Sequence, residues 1–287
     1  MTKSGPMLYF HAGCHKTAST TFQILCRKNQ DLLRGHGVFY PRHETHETQH
    51  SYLLHEYQKH GIEPIATFLK DCLDQAETTS CHSVLLSGEN FENCLVDLHL
   101  AEEIEVAASA AGFSGIVWIF VERDLASYAD SLYAELSKQG VVVSYRTIAR
   151  SAIEKGTFYL STERCDHIFV LDTARFMGRF AKYSERDILR IGFRDFITGT
   201  IGASIFKRIL GDDGFGALEP RLVQNRKWEN MRQSELQVEF NFLHSFVGGA
   251  KILRNDSAKW VFQTALIGLP LLRRHRRRQW RELLFRN

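Results

Sequence analysis

The run from Gly13 to Thr21, GCHKTASTT, places a glycine, a histidine, a lysine and four hydroxyls side by side. Lys16 brings a full positive charge. Thr17, Ser19, Thr20 and Thr21 can cap a helix or donate to the oxygens of an anion. Leu8, Tyr9 and Phe10 come just before, an apolar run rich in strand formers. From Thr20 the apolar spacing turns helical, through Phe22, Ile24, Leu25 and Cys26 to Arg27 and Lys28. A strand, a glycine-containing turn and a helix start, in that order, build a phosphate cradle. The first turn of a helix leaves backbone N–H groups unpaired, its dipole adds partial positive charge, and a lysine completes the set. An ordinary strand–turn–helix that happens to hold a lysine is the plainer alternative.

The nucleotide-binding pattern G-x-x-x-x-G-K-[ST] is half matched. Thr17 follows Lys16, but His15 replaces the second glycine, and no glycine lies at the required distance upstream. The stretch instead fits G-x-H-K-T-[GA]-[ST]-T. It resembles the 5′-phosphosulfate loop of sulfotransferases that use 3′-phosphoadenosine 5′-phosphosulfate (PAPS), the bacterial carbohydrate-type members above all. That resemblance implies that Gly13, His15, Lys16, Thr17, Ala18, Ser19, Thr20 and Thr21 hold the donor. Ala18 departs from the pattern, since glycine is usual there, and alanine is expected to fit only where φ is negative.

The same family carries an arginine at a strand end and a serine eight residues on, both holding the 3′-phosphate. Arg123, in VER, followed by Ser131, has that spacing. A planar guanidinium suits phosphate; a capping salt bridge for Arg123 and a solvated Ser131 form the other reading. Asn225, Arg226 and Lys227 loosely resemble a late segment that returns basic and amide groups to the nucleotide's 3′ end. The resemblance runs in order through residues 7–245, and its specific part is the two nucleotide motifs.

In sulfuryl transfer an acceptor hydroxyl or amine attacks sulfur in line while the leaving phosphate gathers negative charge. The protein must supply positive charge for that phosphate and a base for the acceptor proton. Lys16 and the loop N–H groups answer the first need; no metal is expected, and the product nucleotide is 3′,5′-bisphosphoadenosine. For the base, Glu89 in LLSGENF resembles the S-x-E-x-F stretch of bacterial members, and a partly buried glutamate there is expected to have a raised pKa. A helix cap, or a structural partner for Lys16 or Arg123, is its alternative. His50 competes, because similar enzymes show a histidine before an apolar pair, as in HSYLL. His15 reads as a loop-shaping residue that can also touch phosphate.

Length and composition suit a soluble enzyme. A chain of 287 residues can hold one large α/β domain or two small ones, and 44% hydrophobic with 24% charged residues is ordinary. A net charge of +3 is too small to imply nucleic acid, and none is expected as a partner. Six cysteines, at 14, 26, 72, 81, 94 and 165, form no C-x-x-C pair and read as free thiols in a reducing compartment. His43, His46 and His50 sit in a polar segment that reads as a solvated loop rather than a metal site. Residues 1–6 lead straight into the first strand, and the apolar stretch 260–272 is too short to span a bilayer. The expectation is a cytoplasmic enzyme.

The positioning elements follow from periodicity. Strands are expected at 38–41, 83–87, 116–121 and 188–193, with 168–171 either strand or helix. Helices are expected at 52–57, 65–76, 98–111 (with a Glu-rich start), 125–137, 204–210 and 234–246, and a Gly/Asp loop at 211–221. The continuous apolar run IVWIFV predicts a strand buried on both faces. Alternating strands and helices give an α/β class: a P-loop-like three-layer fold whose central, mostly parallel sheet is flanked by helices. In such sheets ligands sit beyond the carboxyl ends of the strands, where residues 13–21, 87–90 and 122–123 would meet. Residues 1–250 are expected to form the sulfotransferase domain, and residues 251–287 a basic amphipathic helical tail.

The implied acceptor is a hydroxyl of a carbohydrate, polysaccharide or glycolipid. The tail suits an anionic membrane surface, an acidic partner or a solvated helix end; membrane attachment would bring the enzyme to a glycolipid at the inner leaflet. Two rivals stand beside this reading. A P-loop kinase using ATP and magnesium is disfavoured by His15 and by the lack of a strand ending in a clear aspartate. The other is a nucleotide-binding module without catalysis, docked to membranes through the tail.

Overall fold

A computed structural model describes residues 5–42, 49–161, 166–183, 186–224, 238 and 241. Strand β1 (Met7–His11) lies between two parallel neighbours, β3 (Ser83–Ser87) and β4 (Gly115–Glu122). β2 (Val38–Phe39) extends the sheet beyond β3, and β7 (Asp187–Gly192) extends it beyond β4. The five strands, all parallel, run in the order β2-β3-β1-β4-β7. A separate two-stranded sheet pairs β5 (Thr157–Ser161) with β6 (Asp166–Val170). The helices are α1 (Ser19–Lys28), α2 (Gln30–Gly35), α3 (Tyr52–His60), α4 (Glu63–Thr78), α5 (Leu98–Ala111), α6 (Leu125–Lys138), α7 (Tyr145–Lys155), α8 (Thr173–Tyr183), α9 (Phe193–Ile197) and α10 (Ala203–Leu218).

Successive side chains of a strand point to opposite faces, and here both faces are covered. Leu8, Phe10, Val84, Leu86, Trp118 and Phe120 enter one core with α3, α4, α5 and α8. Tyr9, Leu85, Val117, Ile119 and Val121 enter the other with α1, α2, α9 and α10. That is why the central strands read as unbroken apolar runs rather than alternating ones. Each large side chain so buried contributes about 2 kcal/mol, enough in sum to hold strained backbone at the strand ends. The expected three-layer α/β architecture is the observed one.

Two compact units divide the chain. Residues 1–123 with 159–230 hold the large sheet and both cores; residues 124–158 with 231–287 hold α6 and α7. The chain thus leaves the first unit at 123 and returns at 159, a division absent from the expected single domain over 1–250. In the second unit Asp124 caps α6 through Ser127 N, Ser144 caps α7 through Thr147 N, and the rings of Tyr133 and Tyr145 meet at 5.6 Å.

Other local expectations change. The expected loop at 211–221 is mostly helix: α10 kinks at Gly211 (φ 75°) and continues, because Phe215 and Leu218 still reach the core. α5 starts on an Asp97 cap to Leu100 N at 3.2 Å; no acidic residue stands in its first turn. Of the segment open to either form at 168–171, residues 168–170 belong to β6. Val238 and Asn241 aside, the helix expected at 234–246 lies outside the described residues, as do the tail 251–287, His43, His46, Asn225, Arg226, Lys227 and Cys165. Cys14, Cys26, Cys72, Cys81 and Cys94 are free thiols. No helix among the described residues is long and apolar enough to cross a membrane.

Candidate anion-binding site

β1 is central, and the chain crosses over it to place β3 on one side and β4 on the other, so its carboxyl end is the switch point where open α/β sheets take ligands. The residue that closes β1, His11, is fully buried and hydrogen-bonds through Nδ1 to the Ser87 hydroxyl at 2.8 Å; Gln23 Nε2 donates to the same hydroxyl at 3.1 Å. Burial holds the imidazole neutral, its pKa lowered to about 4, although the Glu89 charge pulls the other way. A Cβ on Gly13 would stand 2.4 Å from His11 Nε2, so glycine is required there by close approach, not by conformation.

Conformation decides the next turn. Lys16 (φ 63°) and Ala18 (φ 64°, ψ 21°) are both left-handed, with Thr17 between them outside that region. The expectation of a negative φ at Ala18 is therefore corrected: the chain reverses into α1 within two residues, and alanine accepts the strain. Each left-handed non-glycine residue costs about 1–2 kcal/mol. Such alternation turns successive N–H groups to one side and makes an anion-binding concavity. α1 opens directly after it with no capping side chain and no acidic residue in its first turn, a favourable end for negative charge.

The loop is held from below and beside. Thr17, fully buried, donates through Oγ1 to Cys14 O at 2.5 Å and lies 3.3 Å from Ser19 Oγ, itself buried. Those two expected donor contacts are thus turned inward, whereas Thr20 and Thr21 are partly exposed. Arg123, just past β4, donates to Lys16 O at 2.6 Å while its guanidinium lies 4.7 Å from the centre of the Phe193 ring. Ser131, expected to work with Arg123, is on α6 in the other unit and partly exposed.

His15 joins the loop to two carboxylates. Its Nδ1 lies 3.0 Å from Glu89 Oε2, its backbone N–H donates to Glu92 Oε2 at 3.3 Å, and Glu92 Oε1 is 3.2 Å from His167 Nε2. The rings of His15 and His167 meet edge to face at 4.7 Å, and Phe169 packs against both. Glu92 is fully buried and Glu89 one-fifth exposed. Burial acts to raise the Glu89 pKa, but the His15 hydrogen bond and the charges of His15 and Lys16 outweigh it and hold the carboxyl below its usual range. The raised pKa expected for Glu89 is corrected accordingly. For His15 burial acts downward, and the two glutamates outweigh it upward.

His50 is placed differently. It is 1% exposed; Nδ1 accepts from Ser87 N at 3.0 Å, which leaves the proton on Nε2, 3.2 Å from Pro41 O. Both ring nitrogens are thus engaged by backbone, and His50 clamps the end of β3 to the segment after β2.

No family model, curated protein or solved structure matches this chain.

The structure therefore brings Gly13, His15, Lys16, Ala18, Thr20, Thr21, Glu89 and Arg123 to one end of the sheet. Sequence reasoning missed His11, Glu92 and His167. Glu92 had a signal, since it follows Glu89 by three residues and one helical turn puts both on one side. His167 had none: it is 75 residues from Glu92 and reaches it through β6.

Proposed function

We propose that the chain is a PAPS-dependent sulfotransferase that sulfates a hydroxyl of a carbohydrate, polysaccharide or glycolipid. The observation that carries this reading is the left-handed turn at Lys16 and Ala18, opening α1 at the end of the central strand with Arg123 bonded to it. It supports an anion site for the phosphosulfate, built from backbone N–H groups and a lysine.

In this reading the acceptor oxygen bonds to sulfur as the bond between sulfur and the bridging phosphate oxygen breaks. The electron pair leaves with 3′,5′-bisphosphoadenosine, and Lys16 and the loop amides offset its charge. Glu89, held ionised at the loop, takes the hydroxyl proton. The acceptor is soluble or at the inner face of a membrane, and the enzyme is cytoplasmic. A kinase reading is less well supported: β3 ends on Ser87, and Glu122 at the end of β4 is held by Arg190 at 2.6 and 3.0 Å rather than presented to a magnesium ion.

The test is thermal denaturation with 3′,5′-bisphosphoadenosine, compared with ATP plus magnesium. The bisphosphate should raise Tm at concentrations where ATP does not. Preferential stabilisation by ATP and magnesium would replace this reading with the kinase.

A further inference from the structure

We propose that His15, Glu92 and His167 form a binding site for one zinc-class divalent cation. One potential ligand atom from each of the three lies within 4.8 Å of the other two, although the residues come from the β1–α1 loop, the turn after β3, and β6. All three residues belong to the first unit.

One separation already has the spacing of a small tetrahedral site, and the other two are longer. Bonds of about 2.0–2.1 Å to nitrogen and oxygen put neighbouring ligand atoms roughly 3.3–3.4 Å apart. His167 Nε2 is 3.2 Å from Glu92 Oε1, and His15 Nε2 is 3.9 Å from it. His15 moves inward, toward both Glu92 and His167, to close the set. The tautomer is also prepared. His15 Nδ1–H donates to Glu89, which leaves the Nε2 lone pair directed inward, and that nitrogen is buried without a hydrogen-bond partner among the described residues. A carboxylate orienting a ligating imidazole is a common outer support of zinc sites. Two imidazoles and one carboxylate suit zinc better than magnesium or calcium, which prefer oxygen alone. Three protein ligands leave a fourth position for water or substrate. A bound cation would offset the charge of fully buried Glu92 and tie His15, beside Lys16, to β6.

This inference goes beyond the sulfotransferase reading, and its test needs no nucleotide. The full chain, stripped with a chelator, is titrated with zinc by calorimetry and with cobalt by visible absorption. One equivalent of zinc should bind, cobalt should give the intense bands of a four-coordinate site, and Tm should rise by on the order of 5 °C at a hundredfold excess over Kd. His167→Ala should lose that equivalent, weakening zinc by about a hundredfold or more, while His99→Ala, at an exposed histidine of α5, should keep it. If His167→Ala does not fold, His15→Gln serves, and the cobalt bands should disappear. The proposal is overturned if the wild type takes up no zinc, or if either folded variant binds zinc and cobalt as the wild type does.

Discussion

The guanidinium of Arg123 donates to the carbonyl of Lys16 at 2.6 Å, so the end of β4 holds the left-handed turn that follows β1. This bond joins the two motifs that the sequence placed 107 residues apart. It also gives Arg123 a structural task besides the ligand recognition proposed for it. Removing it frees a strained carbonyl and uncovers Phe193.

Arg123→Ala should therefore lower stability and weaken 3′,5′-bisphosphoadenosine by about 1.5–3 kcal/mol, the range for hydrogen bonds to charged groups. Adenosine 5′-phosphate should lose less, if the guanidinium also reads the 3′-phosphate. Calorimetry on both nucleotides separates the two tasks; equal losses would confine Arg123 to holding the loop. Arg123→Lys should not restore the wild-type value, since an ammonium cannot lie flat on Phe193 and bond Lys16 O in the same fork.

On the proposed function, Lys16→Ala should cut transfer by about a hundredfold or more, because in that reaction it removes charge from the leaving phosphate. The fold should hold, as alanine has the same reluctance as lysine to adopt the left-handed turn. Steady-state rates on a variant of unchanged Tm check this, and normal turnover would remove the loop from the chemistry.

Ala18 gives a test of backbone strain. Ala18→Gly relieves about 1–2 kcal/mol of left-handed strain and gives back roughly 0.4–1 kcal/mol through a more flexible unfolded chain. The variant should be more stable by about 0.5–1 kcal/mol, and Ala18→Val clearly less stable, since a branched side chain tolerates this region worst. Denaturant midpoints report the order. A destabilised glycine variant would contradict the left-handed turn.

How far the sequence could lead is visible in these same residues. Gly13 and Lys16 were legible because strand, glycine, cation and helix start follow in one short window, where local preference and spacing agree, and Glu89 because it stands at the exit of a short apolar strand. The sheet was legible because β1, β3 and β4 are buried on both faces and so read as unbroken apolar runs. Ala18's geometry was not, since a loop reversal enforced by tertiary contacts overrode alanine's own preference. His50 resembled a base by its neighbours, yet its nitrogens answer to Ser87 and Pro41, a fact set by packing. α10 beyond Gly211 was hidden because glycines and aspartates signal a loop, while Phe215 and Leu218 win by burial. His167 could not be read at all, because nothing local announces a partner brought in by β6.

His11 makes stability depend on pH. Its folded pKa of about 4 lies below the ordinary 6.5, since burial disfavours the cation. Between those values the unfolded chain binds a proton that the fold does not. Its contribution is complete above about pH 6.5 and falls away toward pH 4, by at most roughly 3 kcal/mol. His11→Gln, which keeps an amide for Ser87, should show a flatter loss of Tm between pH 7 and 5. Parallel curves for variant and wild type would assign the acid sensitivity to another group.

Glu89→Gln asks who takes the acceptor's proton. The amide oxygen can still accept from His15 Nδ1, so the loop and nucleotide affinity should be kept, while the chemical rate should fall by about a hundred- to ten-thousandfold. The wild-type rate should decline in acid only below the usual glutamate range, because the His15 hydrogen bond and nearby charges overcome burial and keep the carboxyl ionised; that limb should vanish in the variant. His50→Ala should instead lose stability, as it breaks the bonds to Ser87 and Pro41, with turnover per folded molecule near normal. Rapid-quench rates on both variants decide the matter. A folded His50→Ala without turnover, beside a nearly normal Glu89→Gln, would move the base to His50. Two active variants would mean an acceptor that needs no base, and the carbohydrate hydroxyl would give way to an amine or an already acidic group.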